Sequence, residues 1–247
     1  MVGLRLRKKA RRIASGPDAD YEQLMELTRE QLVEAQLRSL RAQISPHFIY
    51  NSLNAIAGLI PTDPVGAREL LVDFADFTRY SLGTEGDFTT LEDELAAVEH
   101  YVVLEKARFG QRLQVSLDIA PEVLGLEIPF LSVQPLVENA VRHGMYNSEQ
   151  TGHVFVQAKD VDTFSRISVE DDGVGADPQF MAKVMRGQAE GSHVGLRNVD
   201  LRLRQAYGAG YGLEIETAID SGMKVSMRIP KFKTPSRIIS AFPGEQA

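Results

Sequence analysis

The spacing of the apolar residues changes from a helical to a strand period near Gly110, and this change constrains the fold class. Before Gly110, apolar residues recur every three or four positions over about 21–60, 65–82 and 91–109, as on one face of a helix. After it, Leu113 to Ile119 alternates between apolar and polar residues, as in a half-buried strand. We predict an α+β chain, with a helical part ahead of a mixed region.

The mixed region has the pattern of an α/β sandwich. We predict further strands at 154–158, 167–170, 213–217 and 223–229, and helices at about 130–144 and 195–206. The last two strands flank Asp220-Ser221-Gly222, a sequence typical of a hairpin turn.

The helical part has the pattern of a helical hairpin. Pro61 and Pro64 separate its two helices, and Asp63-Pro64 is a good start for the second. Each helix carries one apolar face, and a lone hairpin cannot bury both faces well. We therefore predict that two copies pair as a four-helix bundle.

Pro46 and His47 interrupt the first helical pattern. A proline inside a helix removes a hydrogen bond and costs ~3 kcal/mol, yet the pattern resumes through Leu53 and Ile56. A kink at this point can leave the His47 imidazole reachable, and a neutral imidazole is a competent nucleophile at cellular pH. The alternative is an ordinary histidine beside a proline kink.

Residues 43–54 resemble the phosphoacceptor motif of LytS-type (LytS/YehU) sensor histidine kinases, Q-x-x-P-H-F-x-x-N-x-L-N, at every fixed position. The resemblance implies that His47 is phosphorylated. Phe48 stands where many other histidine kinases have an acid, so the base is unassigned. Asn51 lies one helical turn after His47, where its amide can reach the imidazole or an incoming phosphoryl group. The alternative is an asparagine that fixes helix register in a dimer.

A second motif, from Gln134 to Gly144, places several polar residues on one helical turn. A carboxylate, an amide and a cation at Glu138, Asn139 and Arg142 can converge on Mg²⁺ and phosphates; the alternative is a polar helix face. The stretch resembles the N box of the GHKL ATP-binding superfamily. The resemblance implies that Asn139 ligates Mg²⁺ and that Arg142 and His143 lie near the phosphates. Glu138 is a candidate catalytic residue whose role, as a base or a holder of the metal site or neither, stays open.

A third motif surrounds Asp171, which ends a predicted strand and is followed by Gly173 and Gly175. A carboxylate there can accept the exocyclic amine of adenine, and the glycines let the backbone approach the ring. The alternative is an ordinary Asp-Asp-Gly turn. The stretch resembles the G1 box of the same superfamily, which implies adenine recognition by these three residues.

A fourth motif lies at 187–199, where a glycine-containing loop leads into a helix. The first N–H groups of such a helix can hold phosphate oxygens; the alternative is a plain surface loop. The stretch resembles the G2 box and ATP lid, and the implied nucleotide contacts are Gly191, Gly195, Leu196 and Asn198. No Walker-type sequence occurs, so we do not expect a P-loop fold.

Composition excludes several classes of function. The net charge of -7 argues against nucleic acid as a direct partner. The absence of cysteine excludes a thiolate metal site and a cysteine nucleophile. No apolar run is long enough to span a membrane. The basic residues between Arg5 and Arg12, which no acidic residue interrupts, are typical of a juxtamembrane segment, or alternatively of a solvated tail. We expect the cytoplasmic part of a membrane sensor.

Together the motifs and the resemblance imply a homodimeric ATP:protein-histidine phosphotransferase with a Bergerat-type ATP-binding domain. It would phosphorylate His47 from Mg-ATP and pass the phosphoryl group to an Asp of a response regulator, in this family often one with a LytTR domain. The alternatives are a GHKL-type ATPase that moves a clamp, although Pro135 stands where those enzymes usually have Glu, and a catalytically silent nucleotide-binding scaffold. We predict a basic segment at 1–19, a dimerisation and phosphoacceptor domain at 20–84, an ATP-binding domain at 88–231 and a tail at 232–247.

Overall fold

The computed structural model describes residues 45–83, 86–145, 151–188 and 194–232, and from Pro46 onward these belong to one compact unit. The α-helices are α1 (Pro46–Leu59), α2 (Pro64–Ser81), α3 (Leu91–Phe109), α4 (Gln134–Met145), α5 (Pro178–Met185) and α6 (Val194–Tyr207). The strands are β1 (Phe88–Thr90), β2 (Leu113–Ile119), β3 (Glu127–Pro129), β4 (Gly152–Val161), β5 (Phe164–Asp171), β6 (Glu214–Thr217) and β7 (Met223–Pro230). This order confirms the predicted α+β class. The basic segment at 1–19 and all but the first residue of the tail lie outside the described residues.

The helical hairpin is formed by α1 and α2. Asp63 caps α2 by accepting a hydrogen bond from the Gly66 backbone N–H at 2.9 Å, and Pro64 follows as the first helical residue, as predicted. The predicted kink at Pro46 depends on residues before Ser45, which lie outside the described residues, so it stays a prediction. In the described part, Ser45 is not helical and Pro46 is the first residue of α1. At the first helical position a proline has no intrahelical N–H bond to lose. The helix predicted over 21–44 lies outside the described residues.

Both predicted ends of α3 are confirmed. The Thr90 hydroxyl caps the helix by accepting a bond from the Asp93 N–H at 3.1 Å. At the other end Gly110 has φ 60°, a left-handed conformation that favours glycine, and its N–H bonds the Lys106 carbonyl. The three residues before α3 form β1, which pairs with β3 and was not predicted.

The main sheet has five strands in the order β2-β4-β5-β7-β6. β2 and β4 are parallel, and the other neighbours are antiparallel, including the predicted β6–β7 hairpin. Val156, Val169 and Val225 are direct neighbours across β4, β5 and β7, and all are buried. Residues paired across antiparallel strands share one face. This face lies under α4, which contacts both β4 and β5.

Two expectations about this region were wrong. β2 is not half-buried along its length: Leu113 is buried but the Leu117 side chain is 44% exposed. β2 is one of the two edge strands of this sheet, with β4 as its neighbour, so its far end has little to pack against. The helix predicted from 130 begins at Gln134, because Leu131 has φ 56° and cannot be helical.

An aromatic cluster packs the hairpin against α3. The Phe48 ring of α1 lies 4.8 Å from the Phe77 ring of α2 and 5.1 Å from the Tyr101 ring of α3, centre to centre. All three residues are buried, and His100 of α3 adds a 2.7 Å contact from Nδ1 to Asp73 of α2. Among the described residues, no helix has the length and apolar character needed to cross a membrane.

Candidate active site

His47 lies near the start of α1, and its side chain is exposed to solvent. The Asn51 amide nitrogen is 3.1 Å from Nδ1 and 3.3 Å from Nε2 of the imidazole, so it can donate to the ring nitrogen that lacks a proton. The next residue, Phe48, is buried in the aromatic cluster. A buried aromatic residue therefore fixes the position of a helix turn whose histidine is presented outward.

α4 carries the second group of predicted residues within one turn and a half. Asn139 is buried, and its side-chain oxygen accepts a hydrogen bond from Arg142 Nη2 at 3.3 Å. Its amide nitrogen points to the sulfur of Met223 at 3.9 Å. Arg142 Nη2 also lies 3.4 Å from His143 Nε2. The four predicted residues of this motif, Glu138 included, are thus adjacent on one helix.

Glu138 has a perturbed carboxyl group. Its pKa is raised to about 7, chiefly because the carboxyl is withdrawn from water and to a smaller extent because of the nearby Glu105 charge. A hydrogen bond from Gln134 Nε2 at 2.8 Å and the Arg142 charge act in the opposite direction. A carboxyl with such a pKa exchanges its proton near neutral pH. This is a property that general acid–base catalysts share.

The N-terminus of α4 is capped by a residue from another element. Glu94 of α3 is completely buried, and its carboxylate accepts bonds from the backbone N–H groups of Leu131, Val133 (2.8 Å) and Gln134 (3.3 Å). A negative charge at the start of a helix is favourable, because the first N–H groups lack partners within the helix. Glu94 therefore fixes where α4 begins.

Asp171 is the last residue of β5 and faces α4. It pairs across the sheet with Val154 on one side and Met223 on the other, and only 6% of it is exposed. Burial raises the pKa of its carboxyl to about 6, although the Gly173 N–H donates to Oδ1 at 3.0 Å. Met223 thus contacts Asn139 and neighbours Asp171, and so links the second and third motifs.

The two glycines of the third motif permit close backbone contacts. A Cβ on Gly173 would lie 2.8 Å from both the Gly144 Cα and the His143 carbonyl oxygen, so only glycine lets this loop lie against the end of α4. Gly175 has φ 61°, and a Cβ there would lie 1.9 Å from the Ala218 carbonyl oxygen. Both positions require glycine for a steric reason.

Thr217 holds the same loop from the other side. Its hydroxyl accepts from the Ala176 N–H at 3.0 Å and donates to the Gly222 carbonyl at 2.8 Å. The loop after β5 is therefore tied to the turn between β6 and β7.

The fourth motif is described only in part. Gly191 lies outside the described residues. Leu196 is buried, whereas Gly195 and Asn198 are exposed on the first turns of α6. A Cβ on Gly195 would lie 3.7 Å from the Pro135 Cβ, so the starts of α6 and α4 are close together.

A metal ion at this site would need ligands from its nucleotide. Among the described residues, no cluster of three or more His, Cys, Asp or Glu side chains could hold an ion. Mg²⁺ often takes one or two protein oxygens and completes its shell with phosphates and water. The buried side-chain oxygen of Asn139, held by Arg142, fits that requirement.

Comparison with known proteins identifies the family. Residues 35–113 match a family described as histidine kinase, and residues 129–233 match one described as histidine kinase-, DNA gyrase B- and HSP90-like ATPase. The chain is 36% identical to the sensor histidine kinase YpdA of Escherichia coli over 211 residues. This alignment covers 85% of this chain and 37% of YpdA. The chain belongs to the histidine kinases. Sensor protein LytS of Staphylococcus saprophyticus is 36% identical over 201 residues, 80% of this chain and 34% of that protein.

This histidine kinase chain spans just over a third of the length of these relatives. Because residues 129–233 match the ATPase family, this part of the chain is an ATP-binding domain. A solved histidine kinase domain from the Erythrobacter litoralis EL346 blue-light activated histidine kinase aligns with 81% of this chain and 95% of that one, with 17% identity and a TM-score of 0.44.

Sequence reasoning missed several residues of this histidine kinase site. Met223 contacts the predicted residue Asn139, and Glu94 and Thr217 hold the backbone beside the second and third motifs, all from distant parts of the chain. Met223, for example, is 84 residues from Asn139. No local pattern indicates such contacts. The one available signal was that Glu94 lies on the apolar side of a helix, next to Leu95, where an unpaired acid is unexpected.

Proposed function

We propose that this chain autophosphorylates His47 from Mg-ATP and passes the phosphoryl group to an aspartate of a response regulator. The observation that carries the proposal is the presentation of His47. Its imidazole is exposed beside the Asn51 amide, on a helix that the aromatic cluster packs onto α3. An acceptor must be open to solvent and firmly positioned at once.

We also propose the nucleotide contacts, which the resemblance implies and which the geometry of the second and third motifs supports. We assign the adenine amine to the Asp171 carboxylate, with the Gly173 and Gly175 backbone beside the ring. Asn139 would hold Mg²⁺, and Arg142 and His143 would lie near the phosphates. Bound Mg²⁺ would neutralise charge that develops on the phosphate oxygens.

The fourth motif would cover the nucleotide from the start of α6. The assigned contacts there are Gly191, Gly195, Leu196 and Asn198. Support comes from the position of Gly195 next to Pro135, at the start of the helix that carries Asn139.

In the transfer step, an unprotonated nitrogen of His47 forms a bond to the γ-phosphorus of ATP. The bond between that phosphorus and the bridging oxygen breaks, and ADP leaves with the electron pair. The proton that the imidazole must lose needs an acceptor. We assign this role to Glu138, which is half-buried and whose raised pKa suits it to accept a proton near neutral pH.

We further propose that the active form is a homodimer paired through the helical hairpin, within a phosphoacceptor domain at 20–84 that precedes the ATP-binding domain at 88–231. Large apolar side chains of the hairpin are 43–70% exposed, as a dimer interface would require; they are Tyr50, Leu53, Ile60, Val65, Leu71 and Val72.

Two finer assignments rest on the family and on sequence. We propose that the response regulator is of the LytTR type. We also propose that the chain is the cytoplasmic part of a membrane sensor, supported by the basic run from Arg5 to Arg12.

Labelling with γ-³²P-ATP tests the proposed function. We expect acid-labile, base-stable label on the wild type and none on His47→Gln, with ATP affinity unchanged within a few-fold because His47 lies outside the nucleotide motifs. Label retained by His47→Gln would move the acceptor elsewhere. Steady ADP release without any labelled protein would instead favour the ATPase alternative.

A further inference from the structure

The end of α2 and the start of α4 are joined by a buried hydrogen-bond network. Gln134 Nε2 donates to the Ser81 hydroxyl at 3.0 Å and to Glu138 Oε1 at 2.8 Å. Ser81 is completely buried and Gln134 is 1% exposed. One side-chain amide thus lies between the last residue of the hairpin and the carboxylate of the N-box helix.

The geometry of an amide nitrogen makes these two bonds interdependent. An NH₂ group has two N–H bonds in one plane at a fixed angle. When one N–H bond points to the Ser81 hydroxyl, the direction of the second N–H bond, toward Glu138, is fixed as well. A shift of Ser81 would therefore turn the amide and weaken the bond to Glu138.

A second route runs from the neighbouring residue of α2. The Tyr80 hydroxyl donates to Glu94 Oε1 at 2.8 Å, and Glu94 accepts the Val133 and Gln134 backbone N–H groups. Consecutive residues at the end of α2 thus hold the same turn of α4. One route reaches its backbone and the other reaches its Glu138 side chain.

The Ser81 contact is not what helix formation alone would produce. A hydroxyl within a helix commonly bonds a carbonyl one turn earlier. Thr78, three residues before Ser81 on the same helix, does this, with its hydroxyl 2.6 Å from the Phe74 carbonyl oxygen. Ser81 instead bonds a side chain 53 residues away.

We propose that Ser81 and Gln134 are positioning residues for phosphoryl transfer to His47: they orient the Glu138 carboxylate and make that orientation depend on the position of the end of α2. The inference rests on the proposed roles of His47 and Glu138. A movement of the hairpin would then reach the site of chemistry through a side chain, without unfolding either helix.

Ser81→Ala in the 247-residue chain tests the proposal. Removal of one hydrogen-bond partner should slow single-turnover labelling of His47 by saturating ATP by about fivefold to tenfold. ATP affinity should stay within about twofold, since Ser81 is not among the residues assigned to the nucleotide. The matched control is Thr78→Ala, which removes a hydroxyl that bonds only its own helix and should change the rate by less than twofold.

A double-mutant cycle separates positioning from a structural role. In a Glu138→Gln background, Ser81→Ala should cause no further loss of rate, because the group through which it acts is already changed. An equal, additive loss in both backgrounds would overturn the proposal. So would an unchanged rate in Ser81→Ala.

Gln134→Met provides a second variant, because it removes both bonds with little change of volume. It should reproduce the rate loss of Ser81→Ala with unchanged ATP affinity. A rate loss that tracks a fall in melting temperature and in ATP affinity would show a structural role only. Absence of label on wild-type His47 would refute the proposed function itself, whereas normal label with unaffected variants would refute this inference alone.

Discussion

At the scale of single residues, Asp171 is a buried acid whose surroundings disfavour the ionised form of its carboxyl group. Burial raises its pKa from 3.8 to about 6, so ionisation is more costly in the folded than in the unfolded chain. This unfavourable contribution is fully present above about pH 6 and disappears as the pH falls toward 4. A buried acid kept at such a cost suits the recognition of a ligand donor.

We predict that Asp171→Asn stabilises the nucleotide-free protein. The gain at pH 8 should be roughly 1–3 kcal/mol, from a pKa shift of about two units at 1.36 kcal/mol each, and should vanish near pH 4. The same variant should lose its preference for ATP over GTP. Urea unfolding at both pH values and nucleotide titrations measure these effects. Equal binding of ATP and GTP by the wild type would contradict the assignment.

Asn51 gives a second prediction at this scale. Because its amide lies within hydrogen-bond distance of the His47 ring, Asn51→Ala should alter the rate at which phosphate arrives at or leaves His47 while the protein remains a stable dimer. Sedimentation and a time course of phosphorylation and dephosphorylation would measure both. A variant that loses dimerisation or thermal stability first would support the helix-register alternative instead.

At the scale of secondary-structure elements, the start of α4 depends on a carboxylate from α3. Glu94→Ala would leave the Tyr80 hydroxyl and up to three backbone N–H groups without their acceptor. We expect a loss of roughly 2–4 kcal/mol in the free energy of unfolding. Glu92→Ala, in the same helical turn but exposed, is the matched control and should change it by less than about 0.5 kcal/mol. Equal urea midpoints for both variants would contradict this prediction.

The elements that sequence predicted well are those with local signals. Thr90 and Gly110 mark the ends of α3, and the β6–β7 hairpin has its own turn sequence. β1 and β3 were missed because three-residue strands carry no periodicity and are defined only by each other. The exposure of Leu117 depends on strand order in the sheet, which alternation does not reveal.

The candidate site likewise has a part that the sequence could predict and a part that it could not. Its motif residues were predictable because each motif is continuous in sequence. The contacts between motifs were not, because they depend on the tertiary fold. Met223 contacts Asn139 and Ser81 contacts Gln134 only after the sheet and the hairpin have assembled.

At the scale of the whole molecule, the exposed hairpin surface predicts self-association. Leu71→Glu, at a position 49% exposed on α2, should weaken the homodimer at least about tenfold, since a charge would be buried at the interface. Leu117→Glu, 44% exposed on β2, is the control and should leave the dimer intact. Sedimentation velocity across a concentration series measures both. A wild-type chain that is monomeric throughout would contradict the proposed dimer.

The parallel pairing of β2 with β4 also affects how this part of the chain folds. Parallel neighbours need a long connection, and here that connection contains α4, with Glu138 and Asn139. The helix that we propose to bind the nucleotide therefore lies inside the loop that must close before these strands can join. Such non-local pairing slows folding. In a polypeptide emerging from the ribosome, α4 could thus not be enclosed by this strand pair before residues 152–161 had been synthesised.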